Sequence, residues 1–285
     1  MNQKKTKPVL IESWRSFAKS WSQVGQPGRP SKNEVEAYRK ACQIALSKKK
    51  ESKVLIFGAT PEIRNLLLDY KNAQVVLVDN MLDMILGMTE LVKKTNKNEV
   101  WIKSDWLSVP LPENYFDLIL ADWTSCNLPF DKQKVYYQNA HKWLRKDGLY
   151  AERVIGFKKE EKPMTIEELD RYFCKKPINN KYINQFWECG IFYLDPPVGR
   201  PVEVNLFRNR IINYVKKNPK SISAKIFEQS KDVFPHDKIW FIPSEKDLDR
   251  ELGKNFKIIN KIYDPLFNMP NPYKKMGIIY YMTKK

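Results

Sequence analysis

Three aspartates, Asp79, Asp105 and Asp122, each close an apolar run rich in strand-forming residues: "AQVVLVD", "EVWIKSD" and "YFDLILAD". An acid at the end of a buried strand has distinct uses. Asp79, 21 residues beyond Gly58, can accept hydrogen bonds from both hydroxyls of a ribose, or it can cap the helix that follows. Asp105 can accept from an adenine amino group while Trp106 stacks on the ring. Asp122 opens "DWTSCN", a crowd of polar groups. It can grip an ammonium or orient a nucleophile.

The loop before these acids is "FGATPEI", with Gly58 alone. A dinucleotide presses its pyrophosphate against bare backbone and asks for three glycines in G-x-G-x-x-G. Here Thr60 and Ile63 occupy the second and third positions, and Glu62 in the first helical turn repels an anion. The loop suits a ligand without phosphate, and Thr60 and Glu62 suit an amine or sulfonium.

Elements must hold these groups together. "KVLIF", the three runs above and "LYAERVIGF" read as five strands buried on both faces. "PEIRNLLLDY" and "MLDMILGMTELVKK" read as helices between them. "DKQKVYYQNAHKWLRKDG" reads as a helix ending at a Gly148 C-cap. Upstream, Gly25, Pro27, Gly28 and Pro30 break the helical pattern of residues 8–50, and Ser31 with Glu34 forms a capping box for a helix over 33–50. Residues 165–176, 179–194 and 202–217 read as further helices, then a helix at 244–255 and strands at 256–264 and 276–283. The expected fold is α/β: a Rossmann-like, doubly wound, mostly parallel seven-stranded sheet with helices on both faces. Its expected parts are an N-terminal helical lid (1–50), a core (51–157), an inserted helical cap on the substrate side (158–243) and an α/β completion of the sheet (244–285). Trp187, Phe192, Tyr193, Phe207 and Tyr214 read mainly as the cap's own core.

The 285 residues carry a formal net charge of +17. Residues 1–150 hold 24 basic against 16 acidic side chains and the remainder 26 against 17. An excess spread so evenly reads as a solvated surface rather than a nucleic-acid groove. The four cysteines are widely separated and only two histidines are present, so no metal ligand set is expected. Neither a leader nor a membrane span is visible, and free thiols suit a cytoplasmic protein.

The pieces "VLIFGATPEI", "VVLVDNMLDMI", "WIKSDWLSVPLPENYFDLILAD" and "HKWLRKDGLY", in this order and spacing, resemble those of the class I (Rossmann-like) S-adenosylmethionine-dependent methyltransferases. The "G-x-T-P-E" form of the loop and the segment "QPGRPSKNEVEAY" are similar to those of some members. The resemblance implies S-adenosylmethionine as cofactor. It implies that Gly58, Ala59 and Thr60 line the methionine part, and that Asp79 binds the ribose with Asn80 and Met81 beside the adenosine. Asp105 and Trp106 would bracket the adenine, and Asp122 and Trp123 would face the amino group and the reaction centre. Arg29, after a Gly/Pro turn, is an added candidate for the cofactor carboxylate.

The expected activity is methyl transfer to a small molecule. Alternatives are a lyase or cyclase that releases methylthioadenosine, and an RNA or DNA methyltransferase. The sequence offers no clear base: His141 lies mid-helix, His236 lies in a loop, and Asp122, Tyr136 and Tyr137 are weak candidates.

Overall fold

The computed structural model describes residues 28–156, 163–194, 201–231, 238–265 and 276–285. The core runs α1 (Lys32–Leu46), β1 (Ser52–Phe57), α2 (Pro61–Leu67), β2 (Ala73–Asp79), α3 (Leu82–Thr89), β3 (Glu99–Lys103), β4 (Phe116–Asp122), a 3-10 turn (Ser125–Asn127), α4 (Phe130–Trp143) and β5 (Leu144–Gly156). Then come α5 (Ile166–Phe173), α6 (Asn180–Tyr193), β6 (Val202–Glu203), α7 (Val204–Lys217), α8 (Ile222–Ser230) and β7 (Ile239–Trp240). The chain returns to the core through α9 (Glu245–Asn255), β8 (Phe256–Pro265) and β9 (Met276–Lys284). The main sheet has the order β3-β2-β1-β4-β5-β9-β8. Strands β1 to β5 are parallel, and β9 lies antiparallel between β5 and β8.

The continuous apolar strands follow from a sheet covered on both faces. Along β1, Val54 and Ile56 pack with Tyr38, Ala41, Ile63, Leu66 and Ile85 of α1 to α3. Their neighbours Leu55 and Phe57 pack on the other side with Tyr136, Ala140 and Trp143 of α4 and Leu248 and Leu252 of α9. Helix α1 starts where the Ser31/Glu34 capping box forms, and α2 starts on Pro61, whose fixed φ suits a first turn. The N-terminal end of α1 is fastened to the edge strand β8. Ser31 Oγ and Asn33 Nδ2 donate to Asp264 on β8 at 2.7 and 2.8 Å.

Residues 163–231 form a second apolar cluster under α5 to α8, with Trp187, Phe192, Tyr193 and Phe207 buried in it and Tyr214 packed against it. This is the role the pattern favoured for them. Trp187 donates its indole N–H to Ser230 Oγ at 2.7 Å. Gly190 on α6 makes room for the Phe207 ring, whose atoms lie 2.0–2.5 Å from where a Cβ would stand.

The structure differs from the sequence reading in places. Helix α4 ends at Trp143, and Gly148 lies inside β5 rather than at a helix cap. The backbone amides of Asn114 and Tyr115 take the carbonyls of Lys142 and Trp143, so the chain enters β5 five residues early. Gly148 is needed for space: a Cβ there would meet Leu144 Cδ1 at 2.7 Å and the Phe116 carbonyl oxygen at 3.0 Å. Helix α8 was not foreseen, although Ser221 caps it. The helical stretch expected before residue 28 and His236 lie outside the described residues.

Candidate active site

The strand order reverses between β1 and β4, where an open sheet leaves a crevice at its carboxyl ends. A cleft of about 520 Å³ of empty space opens there, lined by Gly58, Ala59, Thr60, Asp79, Asn80, Met81, Met84, Met88, Trp106, Asp122, Thr124 and Asn127. Gly58 takes φ +86°, a conformation side chains avoid, and an added Cβ would have one neighbour within 4 Å, the Thr124 hydroxyl at 3.9 Å. The loop therefore presents bare backbone to the cleft.

Asp79 closes β2 and is buried. Its Oδ1 accepts the Met81 amide at 2.8 Å, so it folds a local turn while Met81 takes the N-cap position of α3. Burial pushes its carboxyl up to about 7 against the pull of the Met81 and Asn80 amides. A carboxylate that lacks water is ready for hydroxyl donors. Trp106 fixes its indole by donating to the Val78 carbonyl at 2.8 Å. Met81, Met84 and Met88 lay a soft apolar wall beside it, spaced along α3 from its N-cap to its last turn.

Asp122 is fully engaged. Thr60 Oγ1 donates to its Oδ2 at 3.0 Å, and Arg153 Nε to its Oδ1 at 2.5 Å. Arg153 on β5 is completely buried, and its Nη1 also donates to Glu34 at 2.7 Å. Its guanidinium lies 4.8 Å from the centre of the Trp123 ring. Burial holds the Glu34 and Glu188 carboxyls above the usual range, against the attraction of Arg153. Trp123 sits at φ +51°, a strained conformation of the kind found where a site dictates the backbone. Its ring meets Phe192 of α6 edge-on at 6.3 Å. The Phe241 amide donates to the Cys126 carbonyl at 2.7 Å. The helical block is thus pinned to the loop after β4.

The cleft gathers eight of the expected residues: Gly58, Ala59, Thr60, Asp79, Asn80, Met81, Trp106 and Asp122. Three stand apart from its lining. Arg29 grips Glu62 instead, Nε to Oε1 at 2.7 Å and Nη2 at 2.5 Å. This pair also neutralises the acid that the loop reading assigned to a cationic ligand. Asp105 is exposed and turns back to accept the Leu107 amide at 2.9 Å. Trp123 packs toward Arg153 and Phe192. Of the candidate bases, Tyr137 is sealed in the core and Asp122 has both oxygens occupied. Sequence reasoning missed Met84, Met88 and Arg153. The adjacent charges Glu152 and Arg153 inside an apolar strand were the available signal for the last.

The crevice thus lies at the strand ends of an α/β sheet, with the buried Asp79 and the Gly58 loop in its lining. Residues 57–151 match the family model of the methyltransferase domain. Over that stretch, a third of the chain, it carries a methyltransferase domain, of the class whose cofactor is S-adenosylmethionine.

None of the curated proteins matches the sequence. Among solved structures, the chain is similar to one named "Putative Zn-dependent Alcohol Dehydrogenases from Rhodobacter sphaeroides", with 14% identity, a TM-score of 0.57 and coverage of 97% of this chain and 99% of that one. It is also similar to the 1,6-didemethyltoxoflavin-N1-methyltransferase of Burkholderia thailandensis, with 15% identity, a TM-score of 0.51 and coverage of 96% and 88%. At these identities the likeness shows the fold alone. Among the described residues no group of three or more His, Cys, Asp or Glu side chains gathers as a metal site, and no helix is long and apolar enough to cross a membrane.

Proposed function

We propose that this enzyme methylates a small-molecule acceptor that enters beneath the helical block of residues 158–243. The observation that carries the reading is the Asp79 carboxylate, buried beside the bare Gly58 backbone in the strand-end cleft. Asp79 would hold the ribose hydroxyls, Trp106 and the methionine wall the adenine, and Gly58, Ala59 and Thr60 the methionine part. Asp105, by its exposure, serves as a turn former, and Arg29 as a brace for the loop through Glu62. The cofactor supplies an already activated methyl group, so the protein's work is to align the acceptor and exclude water.

Two features favour a small acceptor. Phe192 of the block meets Trp123 of the loop after β4, and the block has its own apolar core, so aromatic surface stands near the strand ends. The test is incubation with S-adenosylmethionine and a panel of small amines, phenols and carboxylates, followed by mass spectrometry. S-adenosylhomocysteine with a methylated panel member is expected. Methylthioadenosine from the cofactor alone would replace this reading with a lyase or cyclase. Transfer only to RNA or DNA would remove the small-molecule acceptor.

A further inference from the structure

Methylation of an O–H or N–H acceptor liberates a proton, and neither Asp122 nor Tyr137 is placed to take it. Behind the cleft lies a buried carboxyl that the cofactor reading leaves unused. Glu152 on β5 is fully buried. Its Oε1 accepts the Ser125 amide at 3.1 Å, and its Oε2 lies 2.5 Å from the Tyr150 hydroxyl. Tyr150 stands 3.1 Å from the Tyr136 hydroxyl; Tyr136 is next to the hydroxyl of Thr124, which in this state donates to the Phe57 carbonyl at 3.2 Å. Thr124 lines the cleft facing Gly58. Thr124, Tyr136, Tyr150 and Glu152 therefore form one line of oxygens from the cleft to a sealed carboxyl.

We propose that this line is a proton wire, and that Glu152 stores the proton released in the cleft, acting through Tyr150, Tyr136 and Thr124. The inference rests on the methyl-transfer reading of the same cleft. Tyr150 has one proton and two oxygens within reach, so the line has two polarities. With Glu152 ionised, Tyr150 donates to it, Tyr136 donates to Tyr150 and Thr124 donates to Tyr136. When a proton reaches Thr124 Oγ1, each hydroxyl passes its own proton one place along. Each oxygen gains one and loses one, Glu152 ends protonated, and Thr124 turns its new proton to the Phe57 carbonyl, 3.2 Å away. No electrons change owner.

The surroundings suit such a store. Burial, chiefly, pushes Glu152 up to about 7, with Asp122 adding to the rise and Tyr150 and Ser125 opposing it. Other titratable or charged groups nearby are Tyr136 and Tyr137 on α4 and Cys126 in the 3-10 turn. On β9, Tyr280 pairs with Glu152 in register and sends its hydroxyl to Asp249 on α9 at 2.8 Å. Arg153, next along β5, is held by Asp122 and Glu34. The tyrosines are held well above their ordinary range by burial, so they pass protons without storing charge.

The test uses the full ligand-free chain and the infrared band of protonated carboxyl groups after a jump from about pH 6 to about pH 8, which spans a carboxyl poised near neutrality. Asp79, also raised to about 7, contributes a component common to wild type and Glu152→Gln, so a second component that titrates near neutral pH and is missing in Glu152→Gln is expected. Tyr136→Phe and Thr124→Val keep Glu152 but cut the line. Each is expected to retain that component and slow its decay at least about tenfold, a modest share of what positioned proton transfer contributes. A neutral-pH band identical in wild type and Glu152→Gln, no titrating band in the wild type, or an unchanged decay of the Glu152 component in either cut variant would overturn the proposal. Calorimetric binding of S-adenosylmethionine is measured separately. Absent binding with an intact wire would count against the cofactor reading and leave the wire standing.

Discussion

At the scale of single residues, the role proposed for Asp79 would couple cofactor binding to pH. Its carboxyl is raised to about 7 in the free protein, and two hydroxyl donors require the ionised form. Affinity for S-adenosylmethionine is therefore expected to rise with pH through 7 and level off above it. Between about pH 8 and about pH 6 the loss should be about tenfold. In Asp79→Ala the affinity should be weaker by roughly 1–3 kcal/mol and lose its pH dependence; titration calorimetry at both pH values reads both effects. That Asp79 would line the cleft was legible because the carboxyl ends of parallel strands face the crevice. Asp105 misled for the same reason: its strand ends two residues earlier, at Lys103, so it belongs to the loop and points to solvent. Arg29 misled because its partner, Glu62, lies 33 positions away in the sequence, a distance no local pattern spans.

At the scale of elements, periodicity revealed the sheet and most helices, because strands buried on both faces and helices with apolar stripes leave strong signals. Boundaries set by tertiary contacts did not show. The early start of β5 depends on the Phe116 and Leu144 pairing and its register shift, which no window of sequence contains. The fit of α6 on α7 is likewise a contact between distant residues. Gly190→Ala would drive a methyl group into the Phe207 ring. Overpacking of this kind costs roughly 1–3 kcal/mol, so chemical denaturation should show a lower midpoint. The loss should be largely recovered by Phe207→Leu in the same chain, since the smaller side chain frees the space. A Gly190→Ala protein as stable as wild type would mean that α6 and α7 are free to slide.

At the scale of the whole molecule, four buried carboxyls, Glu34, Asp79, Glu152 and Glu188, are all raised by burial. Raised acids bind protons in the folded state that the unfolded chain has released, so stability falls as pH rises from the ordinary carboxylate range through about 7. Asp117 has the opposite sign. Lys49 and Arg145 hold it low despite burial, and its contribution is lost only in stronger acid. The protein should therefore melt at a higher temperature near pH 5.5 than near pH 8, and Glu152→Gln should flatten that slope. Scanning calorimetry at the two pH values checks it, and a higher melting temperature at the alkaline end would contradict the assignment.

The position of β9 has a consequence for biogenesis. This strand comes last among the elements yet lies between β5 and β8, and it covers the backbone of both Glu152 and Arg153. While the chain is emerging from the ribosome, β5 has an uncovered edge and its two buried charges stand beside water. The cleft-forming strands β1 to β4 can be complete at that stage, but Asp122 cannot yet have a fixed Arg153. On the proposed site, cofactor binding is expected only once residues 276–284 have been made and paired with β5, so a chain stopped before residue 276 should not bind S-adenosylmethionine.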